Sequence, residues 1–222
     1  TVIDGVTFYL IDNEYYFAGS NPYNNIYEDV EKVAFFSKAV LMALPRIEFC
    51  PDVIHCNDWQ TGMIPVLLKA HYTSDERYNR IKTVMTIHNL KFQGVYDKKT
   101  IRDVCELPDS YFTDDKLEFY KDASFLKGGL VYADFITTVS KTYSREIMTD
   151  YFGENLNGLL SARSASVTGI INGINYDEWN SATDSFIDTN YNLRNIVSGK
   201  KANKIALQKQ FGLEENPDKF LV

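Results

Sequence analysis

Apolar and polar positions follow two rhythms along this chain, and the change of rhythm marks its elements. Two short runs, Asp52-Val53-Ile54-His55-Cys56 and Lys82-Thr83-Val84-Met85-Thr86-Ile87, are β-rich and each stops at a polar cluster. The first gives way to Asn57-Asp58-Trp59-Gln60-Thr61-Gly62, the second to His88-Asn89-Leu90-Lys91-Phe92-Gln93-Gly94. Between them residues 63–72 read as an apolar helix. Strand, helix and strand in that order make a βαβ unit, whose crossover forces the strands to be parallel. Both polar clusters then leave the sheet at its carboxyl edge, where open α/β sheets bind their ligands.

The rhythms continue on both sides. Val6-Thr7-Phe8-Tyr9-Leu10-Ile11 predicts a strand within residues 5–12, and residues 13–25 a polar, aromatic loop. Over residues 27–44, Val30, Val33, Ala34, Ser37, Val40 and Leu44 recur at helical spacing, with Pro45 to end the helix. Pro108 and the acidic positions Asp109, Asp114, Asp115 and Glu118 break residues 99–122 into short helices and loops over the site. Residues 123–133 predict a helix and residues 135–139 a buried strand. Ser140 is placed to cap a helix over 141–148. A short helix and turn (157–166), a fifth strand (167–171) and a regular helix (200–211) complete the pattern, and Phe220-Leu221-Val222 opens a new apolar run. The expectation is an α/β fold with a Rossmann-like, doubly wound parallel sheet. Both ends read as cut through structure, which predicts a segment of a longer enzyme.

Composition narrows the partners. With 222 residues, 45% of them hydrophobic, the chain makes one large domain or one domain plus part of another. A net charge of −7 and a pI near 5.0 argue against a nucleic-acid partner, which needs a basic face. No apolar window reaches the ~18 residues of a membrane span, so no membrane partner is expected. Cys50, Cys56 and Cys105 are odd in number and lack metal-type pairing; they read as reduced thiols of a cytoplasmic protein. The 15 Tyr and 14 Phe suit stacking on sugars, and equally suit a core.

His88, just past a parallel strand, suits hydrogen bonding to a ligand. Asp58 shares that edge; it could bind hydroxyls, cap the turn at Thr61, or do both. Asn89 and Asn172 offer neutral amides for sugar or phosphate, although Asn also favours turns for conformational reasons. Trp59 reads as core, His71 as helix surface, and Lys127-Gly128-Gly129 as a close packing point, since a phosphate loop needs other spacing. His55 and Cys56 point to opposite faces of one strand, which disfavours a shared metal. No metal site and no cofactor are expected.

Several motifs together carry a family resemblance. The runs 53–62, Thr86-Ile87-His88-Asn89-Leu90 with Gln93-Gly94, Ser124-Phe125-Leu126-Lys127-Gly128-Gly129-Leu130, Ala133-Asp134 with Thr138-Val139-Ser140, and Ile171-Asn172-Gly173-Ile174-Asn175 with Trp179-Asn180 occur in order. In that order and spacing the chain resembles bacterial glycogen synthases and plant starch synthases. The resemblance implies a retaining glucosyltransferase that moves glucose from ADP-glucose to the non-reducing end of an α-1,4-glucan such as glycogen, without a metal. It implies a GT-B architecture of two Rossmann-like domains facing a cleft. His88 then corresponds to a residue that sits against the transferred glucose. Tyr23, in Gly19-Ser20-Asn21-Pro22-Tyr23, resembles the family's loop near the acceptor; a tyrosine that packs the loop is an equal competitor.

The departures are as informative. The family's Lys-Thr-Gly-Gly-Leu motif in the first βα loop is absent, as is the C-terminal domain with its phosphate-binding Arg and Lys and its catalytic-site Glu. Asn175 stands where the family usually has Asp. The chain therefore reads as an incomplete N-terminal, acceptor-side domain (1–185), followed by an interdomain linker helix and the start of a missing C-terminal domain (186–222). The first strands of the parent sheet would be missing too. The 5–12 strand would then shift, pair with another molecule, or order poorly. Alone, such a segment is expected to transfer no glucose. A stand-alone carbohydrate-binding or regulatory domain on the same framework is the alternative; the His88-Asn89-Leu90 and 171–179 runs argue against a sucrose-type synthase.

Overall fold

The computed structural model describes residues 1–18, 23, 26–47 and 49–222, which fall into two compact units, 1–171 and 172–222. The first unit opens with β1 (Val2–Ile3), β2 (Val6–Thr7), α1 (Glu14–Phe17) and α2 (Ile26–Ala43). It continues with β3 (Val53–Asn57), α3 (Met63–His71), β4 (Lys82–Ile87), β5 (Val95–Tyr96) and α4 (Lys98–Cys105). Next come β6 (Glu118–Phe119), β7 (Asp122–Ser124), α5 (Phe125–Tyr132) and β8 (Phe135–Thr138). α6 (Tyr143–Glu146), α7 (Asn157–Ala162) and β9 (Val167–Gly169) complete it. The second unit is built on α8 (Ile196–Gln210), longer at its start than the predicted 200–211.

The four strands β3, β4, β8 and β9 form a parallel sheet in that order. Asn57 lies opposite Thr86, and Ile87 opposite Thr138, so three strands end nearly level. Alternate residues face opposite sides of a pleated strand. Cys56, Met85, Ile87 and Ile136 on one side are fully buried, while His55 and Phe135 on the other are exposed. α3 and α5 pack against each other. They approach so closely that a Cβ on Gly129 would lie 2.9 Å from the Gly62 Cα. This is the packing role read for Lys127-Gly128-Gly129.

At the amino edge, β4 and β8 are tied by one carboxylate. Asp134 accepts from the Thr83 N–H at 2.8 Å and the Thr83 hydroxyl at 3.1 Å, with Lys82 Nζ at 3.3 Å. The Arg163 guanidinium donates to the carbonyls of Leu130, Val131, Ala133 and Asp134, filling acceptors that the end of α5 leaves open.

Three expectations need correction. The strand read over 5–12 is not in the parallel sheet: only Val6–Thr7 is extended, paired antiparallel with Val2–Ile3. Asp4 and Gly5, at φ 51° and 78°, form the two-residue turn that favours such hairpins, and this local pairing leaves β3 at the sheet edge. Leu10 is 82% exposed. The helix predicted from residue 123 starts at Phe125, because Asp122–Ser124 pairs with β5 and β6 instead. The helix read over 141–148 spans Tyr143–Glu146, and the Ser140 hydroxyl does accept from the N–H groups of Thr142 and Tyr143.

Candidate functional site

The parallel register brings the ends of β3 and β4 together. The Asp58 N–H donates to the Thr86 carbonyl at 2.9 Å, extending the ladder by one residue. Asp58 then turns into a conformation that side-chain-bearing residues rarely adopt, φ 55° and ψ −176°. Its carboxylate does not cap the single 3-10 turn Trp59–Thr61, one of the two uses read for it. Oδ1 instead accepts from the His88 N–H at 2.8 Å. The Thr61 hydroxyl is bonded to both the N–H and the carbonyl of Asn57.

His88 is exposed, and its Nε2 lies 2.9 Å from Asn57 Oδ1. An amide oxygen only accepts, so Nε2 donates this bond. Asn57 and Asp58 together fix the imidazole and the backbone that carries it. Asn57 escaped the sequence reading; the signal that could have found it is its register opposite Thr86, two residues before His88. Asn89 is exposed and uses Oδ1 to accept from the Lys91 N–H at 3.1 Å, the local turn that competed with ligand binding.

Tyr23 joins this edge from far away in sequence. Its ring stacks on Trp59 with centroids 6.3 Å apart and planes at 25°, and its hydroxyl accepts from Gln60 Nε2 at 2.7 Å. Trp59 is buried among Tyr23, Tyr96 and Phe125, as read from the sequence. Gly94 allows this: a Cβ there would sit 2.3 Å from the indole, and the backbone is left-handed at φ 59°. Tyr23, Asp58, Trp59, Gln60, Asp29 and Phe92 line a hollow of about 450 Å³, of which His88 and Asn89 are not walls. Asn172 opens the second unit and is described apart from this site.

The remaining reactive groups are structural. His55 Nε2 lies 2.6 Å from the Thr86 hydroxyl, and Thr86 in turn is 2.6 Å from that of Thr137. Burial pushes the thiols of Cys56 and Cys105 up to about 12, so neither is a nucleophile at neutral pH. His71 ends α3, exposed, with Nε2 3.3 Å from the Cys105 carbonyl. Among the described residues no three His, Cys, Asp or Glu side chains gather as a metal ion requires.

Comparison with known proteins identifies the family. Residues 1–162 match the starch synthase catalytic domain family. The chain belongs to that family. The glycogen synthase of Lachnospira eligens is 59% identical over 219 residues, which are 99% of this chain and 46% of that protein. The glycogen synthase of Lachnoclostridium phytofermentans is 54% identical over the same shares. The catalytic domain of starch synthase IV from Arabidopsis thaliana, solved with ADP and acarbose, matches with a TM-score of 0.75 at 32% identity; the match covers 90% of this chain and 40% of that one. This starch synthase family member thus spans about half the length of the curated relatives it matches. The α/β fold with a parallel sheet is that of a GT-B synthase domain. No described helix is long and apolar enough to cross a membrane.

Proposed function

We propose that this chain supplies the acceptor side of a retaining α-1,4-glucan glucosyltransferase that moves glucose from ADP-glucose to the non-reducing end of glycogen in the cytoplasm. The observation that carries the reading is His88, held through its backbone by Asp58 and through its ring by Asn57, at the carboxyl edge of a parallel sheet in a member of the synthase family. Relatives named glycogen synthase and a structural neighbour bound to ADP and acarbose support the substrate classes. Residues 186–222 are read as the bridge to a second domain, which would bring the cations for the leaving diphosphate. His88 orients the donor sugar by hydrogen bonding, and Asp58, Asn89 and Tyr23 hold hydroxyls around it. Asn172 is read as a further hydrogen-bonding amide.

The test is to replace the matching 219 residues of the Lachnospira eligens glycogen synthase with this chain and follow transfer of labelled glucose from ADP-glucose to glycogen. The hybrid transfers glucose, and His88→Ala lowers its rate by about 10²-fold with an unchanged circular dichroism spectrum. The 222-residue chain alone transfers none. A His88→Ala hybrid at full rate would remove His88 from the site.

A further inference from the structure

The dipeptide Asn-Gly occurs twice in the sequence, at Asn157-Gly158 and at Asn172-Gly173. It carries its own reactive pair. The side-chain carbonyl carbon of an asparagine can close a five-membered ring with the next backbone nitrogen, one reason asparagine is a thermolabile residue. A following glycine adds no side chain to shield that nitrogen and leaves the backbone free to turn. Whether the ring closes then depends on how the fold holds the two residues.

The fold treats the two copies differently. Asn157 is the first residue of α7, half-buried, with Nδ2 donating to Asp150 Oδ1 at 2.6 Å. Helical dihedrals fix its ψ, and it packs so closely on Gly153 that a Cβ added there would lie 2.4 Å from its own. Asn172 and Gly173 belong to neither helix nor strand, and both are exposed. Among the described residues neither the Asn172 side chain nor the Gly173 N–H takes a hydrogen-bond partner. A Cβ on Gly173 would meet nothing within 4 Å. The nearby Asn175 and Asn180 differ on both counts. Each uses Oδ1 to accept from an N–H two residues on, at 3.0 Å, and they precede Tyr176 and Ser181.

We propose that Asn172 is a site of spontaneous deamidation, and that α7 spares Asn157. The Gly173 nitrogen gives its proton to hydroxide and attacks Cγ of Asn172. The new N–Cγ bond closes a succinimide, the Cγ–Nδ2 bond breaks, and the amide nitrogen leaves as ammonia. Water then adds to one of the two ring carbonyls and opens the ring. The product is aspartate, or isoaspartate with the main chain running through the former side chain. No oxidation or reduction takes place. Two N–H donors are replaced by an anion that only accepts. The inference rests on local structure and is independent of the synthase reading.

Mass spectrometry of the folded 222-residue chain, held in mildly alkaline buffer and then cut with trypsin, tests it. The two sites fall in separate peptides, 146–163 and 164–194. Peptide 164–194 gains about 1 Da at Asn172 as the amide becomes an acid. Asn172 converts about tenfold faster than Asn157, the ratio expected when α7 must first open at a cost of about 1.4 kcal/mol. In urea the two sites convert at one rate, because the unfolded chain presents the same dipeptide twice. Gly173→Ala, at a position with room for the methyl group and no left-handed φ, slows Asn172 severalfold and leaves Asn157 and the circular dichroism spectrum unchanged. An Asn172 that stays intact while the unfolded chain converts, equal rates in the folded chain, or a difference that persists in urea would overturn the assignment.

Discussion

Two carboxylates hold the two ends of β4, and they do so in opposite ways. At the amino edge Asp134 accepts from the Thr83 N–H and hydroxyl, has Lys82 beside it, and sits in an ordinary backbone. At the carboxyl edge Asp58 accepts from the N–H of His88, in a left-handed backbone and with no ion pair among the described residues. Both bonds anchor the same strand to a neighbour. The first is saturated by its surroundings and reads as construction. The second leaves carboxylate capacity unspent and carries strain, which is compatible with the hydroxyl-binding role proposed for it. The lesson is that a carboxylate–backbone hydrogen bond says little about role until its remaining lone pairs and its own φ are counted.

The comparison can be broken by removing each carboxylate in turn. The largest effect is expected from Asp134→Ala, which strands the Thr83 N–H and hydroxyl; urea unfolding should show a loss of about 2 kcal/mol. A loss no greater than that of an exposed aspartate would end the claim that Asp134 is structural. The pH dependence sharpens the same point. Partial burial alone would raise the Asp134 carboxyl, but the Thr83 hydrogen bonds and Lys82 hold it below the usual carboxylate range. A folded-state value below the unfolded one contributes stability that is complete above the unfolded value of about 3.9 and is lost as pH falls through the folded value. Unfolding midpoints followed down through that window should therefore drop more steeply in the wild type than in Asp134→Asn; parallel curves would contradict it.

The smallest change in stability is expected at Asp58. Asp58→Gly loses the bond to His88 but relieves a backbone that glycine adopts freely, so stability should move by no more than about 1 kcal/mol. Maltooligosaccharide binding should nonetheless weaken. A glycine variant that both unfolds early and binds normally would reverse the assignment of the two edges.

Much of this was legible in the sequence because it depends on neighbours in the chain. The helix over Met63–His71, the two flanking strands and the cluster after each follow from local periodicity, and the βαβ crossover fixes their parallel sense. From that alone Asp58 and His88 had to share an edge. The fate of the first apolar run was not legible in the same way. Val6 to Ile11 has the composition of a strand, but which partner it takes depends on what else competes for it, and the Asp4-Gly5 turn gives Val2–Ile3 the advantage of proximity.

Local pattern, then, determined the elements, their order and the family, through motifs that survive as written residues. Only the tertiary structure decided that Asp58 turns to His88 rather than to its own helical turn, and that Asn57 reaches the imidazole. It also brought the Glu154 carbonyl to the side chain of Gln93, 61 residues away in the chain. Those contacts are set by strand register and by loops meeting in space. Hydrophobic periodicity carries no record of either, because it reports which face of an element is buried and not which distant side chain lies across from it.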